Sequence, residues 1–176
     1  MIRISEIETP LGKMLAGATE KGICLLEFTD SNRHQTALTE LETLLSEKFR
    51  EGKNKHIRQL KKELNEYFRG KRKEFSVNLI TPGTPFSVSV WKELLKIPFG
   101  CTQSYMEQAR ALGKPGSARA VANANGKNRI AIVIPCHRVI GSDGELTGYG
   151  GGLKRKEWLL QHEKKYSGKP VDLSLF

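Results

Sequence analysis

The sequence is poor in cysteine and contains no long apolar run. Its three cysteines, Cys24, Cys101 and Cys136, are an odd number, and their spacing matches neither a disulfide framework nor a zinc site. We therefore expect reduced thiols in a cytosolic protein. The longest apolar run, residues 130–134, is too short to cross a bilayer, and residues 1–10 carry acidic groups and no long apolar stretch. Neither a membrane span nor a signal peptide is expected.

Acidic residues are also scarce relative to basic ones. The 176 residues include 29 Lys and Arg against 19 Asp and Glu, a net charge of +10, which favours a polyanionic partner, although basic enzymes without one are common. Residues 1–80 hold 15 basic and 12 acidic groups, a net charge of +3, whereas residues 81–176 hold 14 and 7, a net charge of +7. We therefore expect the anion-binding surface in the second half of the chain.

The first half reads as a small sheet covered by helices. Strand-like runs at residues 2–7, 13–18 and 22–28 are separated by turn sequences, which predicts an antiparallel sheet. Two amphipathic helices should follow and cover that sheet. Their apolar positions are Leu38, Leu41 and Leu45 in one helix, and Ile57, Leu60, Leu64 and Phe68 in the other.

A linker-like Thr81-Pro82-Gly83 separates this part from a helical second half, so we predict two domains, residues 1–80 and 81–176. Thr84 suits a helix N-cap and Pro85 the first helical position. The apolar stripe predicted for this helix is Phe86, Val90, Trp91, Leu94 and Leu95.

Two short helices should come next. Ser104 and Glu107 have the spacing of a capping box, Gly113 can end that first helix, and Ser117 can cap a second. This spacing fits a helix-turn-helix and an ordinary helical hairpin equally well. The second helix has small side chains around Arg119, which would allow close approach to DNA, although its composition alone favours a packed helix with a solvated arginine.

Cys136 follows an apolar, strand-like run and a proline. A lone cysteine is more often a small buried hydrophobe than a nucleophile. Here, however, His137 and Arg138 follow at once, and their cationic character would lower the pKa of a nearby thiol. Glu163, on the last helix, would complete a Cys/His/Glu arrangement by orienting the imidazole, although a solvated glutamate is the more frequent case. A glycine-rich loop at residues 148–152 suits a flat ligand or a plain surface turn.

These segments resemble the O6-alkylguanine-DNA alkyltransferases, also called methylated-DNA–protein-cysteine methyltransferases. The similarity spans residues 83–165. It is carried by Pro135-Cys136-His137-Arg138-Val139, Gly148-Tyr149, Lys156-Glu157-Trp158-Leu159-Leu160, Glu163, Ser104-Tyr105, Ala118-Arg119-Ala120-Val121, Asn128, Gly83-Thr84-Pro85-Phe86 and Trp91.

The resemblance implies an α+β fold, with a small N-terminal ribonuclease H-like α/β domain and a C-terminal helical winged helix-turn-helix domain. It also implies binding of double-stranded DNA containing O6-alkylguanine through the minor groove. In this family the arginine matching Arg119 enters the base stack and replaces the flipped guanine. The further DNA contacts implied are Tyr105, Ala118, Ser117 and Arg138.

The resemblance assigns the chemistry residue by residue. Cys136 would be the nucleophile that takes the alkyl group and is consumed, and His137, held by Glu163, would remove its proton through a water. Asn128 would brace the turn that carries the cysteine, and Tyr105 would donate a hydrogen bond to the guanine near N3. The pocket walls implied are Val139, Tyr149, Gly150 and Ala131. Whether O4-alkylthymine is a second substrate stays open.

No cofactor is implied, and we expect no metal, because only Cys24 and His34 lie where some relatives bind zinc. A cytoplasmic monomer is the expectation, acting at the nucleoid if the source is prokaryotic. Gly150 and Ala131 replace bulkier residues of certain relatives, so we expect bulkier O6 adducts to be accepted. Two other classes of protein share parts of this pattern. One is a non-catalytic lesion binder, against which the presence of Cys136 argues, and the other is a cysteine hydrolase, which would form a transient acyl-thiol.

Overall fold

The computed structural model describes residues 1–168, and the chain divides into two compact units at Gly83/Thr84. The first unit is a sheet covered by helices, and the second is mainly helical. This α+β architecture confirms the expected fold class. Among the helices of residues 1–168, none combines the length and apolarity that a membrane crossing requires.

The sheet of the first unit has four strands: β1 Ile2–Thr9, β2 Gly12–Ala18, β3 Ile23–Phe28 and β4 Phe49–Glu51. Their order across the sheet is β3-β2-β1-β4. The first three pair antiparallel as predicted, whereas β4 pairs parallel to β1 and was not predicted. All three residues of β4 are exposed, so no alternation of apolar and polar residues marks it in the sequence.

Two helices cover this sheet, as their apolar spacing predicted. Helix α1 spans Arg33–Leu45 and packs on β3, while α2 spans Lys55–Phe68 and packs on β1 and β2. The α1 residues Leu38 and Leu41 join Ile2 and Leu25 in one buried cluster.

Helix α2 also fixes the chain that follows it. The Glu63 side chain is almost fully buried and accepts hydrogen bonds from Gln59 Nε2 at 2.9 Å and from the Ser76 backbone N–H at 2.9 Å. The Ser76 hydroxyl donates to the same carboxylate. These contacts hold the pKa of the Glu63 carboxyl below its usual value even though burial acts in the opposite direction.

In its described part, residues 84–168, the second unit contains four α-helices and one pair of very short strands. The helices are α3 Pro85–Leu94, α4 Tyr105–Ala111, α5 Ala118–Gly126 and α6 Leu153–Tyr166, and the strands β5 Gln103–Ser104 and β6 Val139–Ile140 pair in parallel. A single 3-10 turn, Cys136–Arg138, precedes β6.

Helix α3 begins as predicted, with the Thr84 side chain accepting a hydrogen bond from the Ser87 backbone N–H at 3.2 Å. The predicted apolar stripe was wrong at its end: Leu95 is 47% exposed, because the helix stops at Leu94 and the next side chain points to solvent. Trp91 is buried and donates from Nε1 to the Ala124 carbonyl of α5 at 2.9 Å.

Helices α4 and α5 pack against each other and against α3. The predicted capping box at Ser104 and Glu107 is present. Gln108 and Asn125 exchange two buried amide hydrogen bonds, of 3.1 and 2.8 Å, which fix the two helices in register. Ser117 occupies the N-cap of α5, but within the described residues its hydroxyl accepts no capping hydrogen bond, contrary to prediction.

Candidate active site

Cys136 sits at the start of the 3-10 turn and is partly exposed. The apolar run before it was predicted to be strand-like, but it forms turns. The Ile134 N–H donates to the Ile130 carbonyl at 3.1 Å, and the Cys136 N–H donates to the Ile134 carbonyl at 2.8 Å. Ile132 has a φ of +71°, a left-handed conformation that costs a β-branched residue about 1–3 kcal/mol. The surrounding turn must supply that energy.

Asn128 holds this turn together from within. Its side chain is buried and donates from Nδ2 to the Ile134 carbonyl at 2.9 Å and to Cys136 Sγ at 3.2 Å. Its Oδ1 accepts from the Ile130 N–H at 2.9 Å. One amide therefore links both ends of the turn and also places a donor on the sulfur, where it favours the thiolate over the thiol.

His137 is the second residue of the same 3-10 turn and is fully buried. Its Nε2 is 2.7 Å from Glu163 Oε1. A carboxylate only accepts hydrogen bonds, so Nε2 carries the hydrogen and Nδ1 carries the lone pair. Among residues 1–168, Nδ1 has no hydrogen-bond partner. Burial lowers the pKa of His137 more than Glu163 raises it, so the ring is neutral at pH 7 and its Nδ1 is available as a base.

Glu163 balances its charge with Arg138 instead. The Arg138 guanidinium donates from Nε to Oε2 and from Nη2 to Oε1, both at 2.9 Å, and from Nη1 to the Ile97 carbonyl at 2.6 Å. The Gly100 N–H also donates to Oε2, at 3.1 Å. Burial alone would raise the pKa of the Glu163 carboxyl, but His137 and Arg138 hold that pKa far below its usual range.

The role expected for Arg138 is therefore corrected. The resemblance implied a DNA contact, but the side chain is only 6% exposed and lies over the Phe99 ring at 5.9 Å. Its bidentate pairing with Glu163 uses the guanidinium as a buried counter-ion. Such a group cannot reach a phosphate without breaking the ion pair.

Lys156 is a site residue that the sequence reasoning missed. It is fully buried on α6, and its Nζ donates to the Thr147 carbonyl at 2.8 Å and to the Gly148 carbonyl at 3.3 Å. Burial lowers its pKa to about 8, and attraction to Cys136 opposes that shift. A signal existed, since Lys156 shares the helical spacing of the buried Leu159, Leu160 and Glu163.

Tyr105 converges on the same loop. Its hydroxyl donates to the Thr147 carbonyl at 3.1 Å, so one carbonyl receives hydrogen bonds from both Tyr105 and Lys156. Burial raises the pKa of Tyr105, which keeps the hydroxyl protonated and able to donate. Gly148 has a φ of +50°, and a Cβ added there would lie 4.0 Å from the tyrosine oxygen. That separation is ordinary van der Waals contact, so the positive φ, rather than a lack of space, is what favours glycine here.

The remaining expected residues differ in exposure. Val139 is fully buried and Ala131 is buried in the turn, whereas Tyr149 is partly buried and Gly150 is exposed. Val139 therefore offers no exposed surface to a ligand in this structure. Arg119 is exposed, and within residues 1–168 it has no ion pair or hydrogen bond from its side chain. Ser117 and Ala118, also expected at the DNA, are partly exposed around the start of α5.

No metal centre is seen in the described part of the chain: there, no group of three or more His, Cys, Asp or Glu side chains is arranged to hold an ion. None of the three cysteines, all of which lie in the described residues, forms a disulfide; Cys24 is buried and Cys101 is partly exposed. The donor set around Cys136 is one sulfur, one amide, one imidazole and one carboxylate already paired with an arginine. This set suits an activated nucleophile rather than a cation site.

Comparison with known proteins gives a consistent result over the whole chain. The family model for the ribonuclease-like domain of 6-O-methylguanine DNA methyltransferase matches residues 2–81, and the model for its DNA-binding domain matches residues 85–165. The methylated-DNA–protein-cysteine methyltransferase of Methanosarcina barkeri is 45% identical over 158 residues, which are 90% of this chain and 94% of that protein. The protein of the same name from Mycobacterium tuberculosis is 58% identical over 114 residues, 65% and 68% of the two chains.

Solved structures agree with these relatives. The crystal structure of Mycobacterium tuberculosis OGT in complex with DNA has a TM-score of 0.80 and 41% identity, covering 99% of this chain and 98% of that one. The O6-methylguanine-DNA methyltransferase of Pyrococcus kodakaraensis has a TM-score of 0.65 at 23% identity, covering 93% and 99%, and shows the shared fold. This chain belongs to the 6-O-methylguanine DNA methyltransferase family.

Proposed function

We propose that this protein repairs O6-alkylguanine in double-stranded DNA by moving the alkyl group to the sulfur of Cys136. It is a methylated-DNA–protein-cysteine S-methyltransferase, like the relatives named above. The observation that carries the residue assignment is the Asn128-braced turn, which holds Cys136 Sγ 3.2 Å from an amide donor and next in sequence to the buried His137 and Glu163 pair.

The proton of the Cys136 thiol must leave before the sulfur can attack. We assign the base to Nδ1 of His137, the neutral lone-pair nitrogen, reached through one water molecule. The thiol gives its proton to the water, and the water gives one to Nδ1. Glu163 holds the ring by its Nε2–H and, together with Arg138, stabilises the imidazolium that forms.

The thiolate then attacks the alkyl carbon attached to O6. The sulfur–carbon bond forms, the carbon–O6 bond breaks, and its electron pair stays on the guanine, which takes up a proton from water while His137 returns the thiol proton to water. Tyr105 is the proposed donor to guanine N3, an arrangement that spreads the charge of the leaving base. To reach the base, the Tyr105 hydroxyl exchanges its present hydrogen bond to the Thr147 carbonyl for one to the guanine. Lys156 keeps that carbonyl satisfied.

The base has to leave the DNA stack to reach Cys136. We assign Arg119 to the minor groove as the side chain that fills the place of the flipped guanine, with Ser117 and Ala118 beside the DNA backbone. The partly exposed start of α5 and the unpaired Arg119 support this assignment. In the same proposal, residues 1–80 are a structural domain and residues 81–176 the DNA-binding alkyltransferase domain. The proposal further includes a cytoplasmic monomer, acting at the nucleoid if the source is prokaryotic.

The product explains why one molecule repairs one lesion. A thioether on Cys136 carries no group that water readily displaces, so the alkylated protein is not regenerated. A serine at this position would be a far poorer nucleophile toward an sp3 carbon, because a soft, polarisable sulfur suits that substitution. The expected stoichiometry is one alkyl group per protein.

Mass spectrometry after incubation with a duplex containing O6-methylguanine tests the proposal. The peptide containing Cys136 should gain the mass of one methylene, and Cys136→Ala should leave both protein and DNA unchanged. Cys101→Ala is the matched control, since Cys101 is the other partly exposed thiol and should be dispensable. Repaired DNA beside an unmodified Cys136 would overturn the proposal, and a transient acyl-thiol with ester substrates would favour a hydrolase instead.

A further inference from the structure

The solvent-exposed side of α2 in the first unit is entirely basic or amide in character. Every exposed side chain of the helix and of its C-terminal capping residue is a lysine, an arginine, a glutamine or an asparagine. We call the basic members the α2 basic face: Lys55, Arg58, Lys61, Lys62 and Arg69. Within residues 1–168, none of these five side chains has an ion pair or hydrogen bond.

The acidic residues of α2 do not neutralise this face. Glu63 is buried and bonded to Ser76 and Gln59, and Glu66 accepts from Arg72 Nε at 2.8 Å. A groove beside α2 is also lined by residues of β1 and β4. On that side, Glu6 and Glu8 pair with Lys13 at 3.1 and 3.7 Å, and Glu51 of β4 adds one exposed carboxylate.

The charge is also concentrated along the chain. Residues 55–73 contain eight basic and two acidic groups, whereas residues 1–54 contain seven basic and nine acidic groups. The modest net charge of +3 for the first half therefore averages an acidic segment with a strongly basic one. The first half thus contains a basic segment that its average charge conceals, in addition to the net charge of +7 in residues 81–176.

The dimensions of the face suit a phosphate backbone. With a rise of about 1.5 Å per residue, the five cations extend over roughly 20 Å along the helix. B-DNA presents one phosphate per strand about every 3.4 Å of its axis, so a face of this length spans several phosphates. Lysine, arginine and side-chain amides are the usual donors to such oxygens.

The chemistry of the face also argues against a lipid surface. A membrane-surface helix needs large apolar residues beside its cations, and the exposed positions of α2 have none. Double-stranded DNA is the polyanion that the proposed function already brings to this protein. We propose that the α2 basic face is a second contact with the phosphate backbone of double-stranded DNA, one that is independent of base sequence and of damage.

Charge-removing variants test this surface. The triple variant Arg58→Gln, Lys62→Gln, Arg69→Gln removes three charges from the face. The matched control Lys21→Gln, Lys48→Gln, Arg50→Gln removes three charges from other exposed positions of the same unit. Because all six side chains are exposed, thermal unfolding should be nearly unchanged and serves as the folding check.

The measurement is the equilibrium affinity for an undamaged duplex over a series of salt concentrations. Each lost phosphate contact lowers the slope of log K against log salt by about 0.9, so the α2 variant should flatten the slope by about 2 to 3 and the control should not. Equal slopes for the α2 variant and the control would overturn the proposal, because overall charge would then explain any loss.

A separate readout distinguishes this proposal, which takes its DNA partner from the proposed function, from that function. Alkylation of Cys136 by O6-methylguanine as the free base involves no phosphate, so its rate should be the same in wild type, α2 variant and control. If wild type is alkylated but the slopes agree, only the α2 proposal fails. If Cys136 of the wild type is never alkylated, the proposed function fails while the salt slopes still decide the surface.

Discussion

Replacing Glu163 by glutamine is the sharpest perturbation of the site. The side chain keeps its size, but its charge is removed from a buried cluster where it accepts from His137, from Arg138 twice and from the Gly100 N–H. Glutamine offers one accepting oxygen and one NH2 group. That NH2 group must face at least one of these donors, so a hydrogen bond is lost in addition to the charge.

The magnitude follows from the burial of Arg138, which is only 6% exposed. Breaking a buried ion pair by removing one partner costs about 3–5 kcal/mol, because the other charge is left uncompensated. For a chain of 176 residues, about 2–4 °C of Tm accompanies each kcal/mol. We therefore expect the Tm of Glu163→Gln to fall by about 6–20 °C.

Urea unfolding at pH 7 measures the loss in the free energy of unfolding, and thermal unfolding measures the fall in Tm. Glu157→Gln is the control on the same helix. Glu157 is partly exposed and, within residues 1–168, accepts a hydrogen bond only from Gln161, at 3.3 Å, so its replacement should cost well under 1 kcal/mol. A loss for Glu163→Gln as small as that of the control would refute the argument that this carboxylate is the counter-ion of Arg138.

The pH dependence supplies a second check on the same variant. The folded-state pKa of Glu163 is depressed, so its contribution to stability is fully present above the unfolded pKa of about 4.3. That contribution is lost as the pH falls toward the folded pKa. The stability gap between wild type and Glu163→Gln should be constant from pH 8 to about pH 5 and should shrink below about pH 4. A gap that widens in acid would contradict the assigned direction.

Three further predictions concern the rate of alkyl transfer, measured in single-turnover reactions with methylated duplex. Lys156→Met should slow transfer about 10- to 100-fold, because the Thr147 carbonyl would lose its hydrogen bond from Lys156 and would be left unpaired when Tyr105 turns to the guanine; the exposed control Lys154→Met should not, and equal rates would remove Lys156 from the site. Tyr105→Phe should slow transfer about 100-fold by removing the donor to the leaving base, and an unchanged rate would remove that role. Benzylated and methylated guanine should react at comparable rates in wild type, and Gly150→Ser should reduce the rate with benzylated guanine selectively. Strong discrimination against the benzyl adduct by the wild type would refute the prediction that bulkier O6 adducts are accepted.

Much of the fold follows from local sequence signals. The two turns of the sheet and the helix N-caps at Thr84 and Ser104 depend on residues a few positions apart. They can therefore be predicted from the sequence without knowledge of tertiary contacts. Strand β4 was not predicted, because its three residues are exposed and form no apolar pattern; the strand is recognised only by its pairing with β1. The prediction of Leu95 failed for a related reason, since the helical spacing continues after the helix itself has ended.

The site is less predictable because its geometry depends on contacts distant in sequence. Nothing local requires Ile132 to adopt a left-handed φ, and an apolar run of this kind favours a strand. The buried amide of Asn128, which bonds to both ends of the turn, stabilises that conformation. The resemblance implies a DNA contact for Arg138, whereas its partner Glu163 lies 25 residues further along the chain, and no local pattern indicates that buried ion pair.

The adjacent His137 and Arg138 have opposite electrostatic roles in the folded site. Arg138 neutralises Glu163, and with that charge already balanced, burial lowers the pKa of His137 and leaves the ring neutral at pH 7. A neutral ring can take up the thiol proton, whereas an imidazolium could not. The cation that interacts with Cys136 is then neither sequence neighbour but Lys156, whose attraction to the sulfur is offset by its own burial. The cost of burying this lysine follows from its lowered pKa, since the group destabilises the fold most below about pH 8 and progressively less as the pH rises toward its unfolded value. Keeping this lysine charged at pH 7 costs folding stability, while its Nζ holds the Thr147 and Gly148 carbonyls of the neighbouring loop.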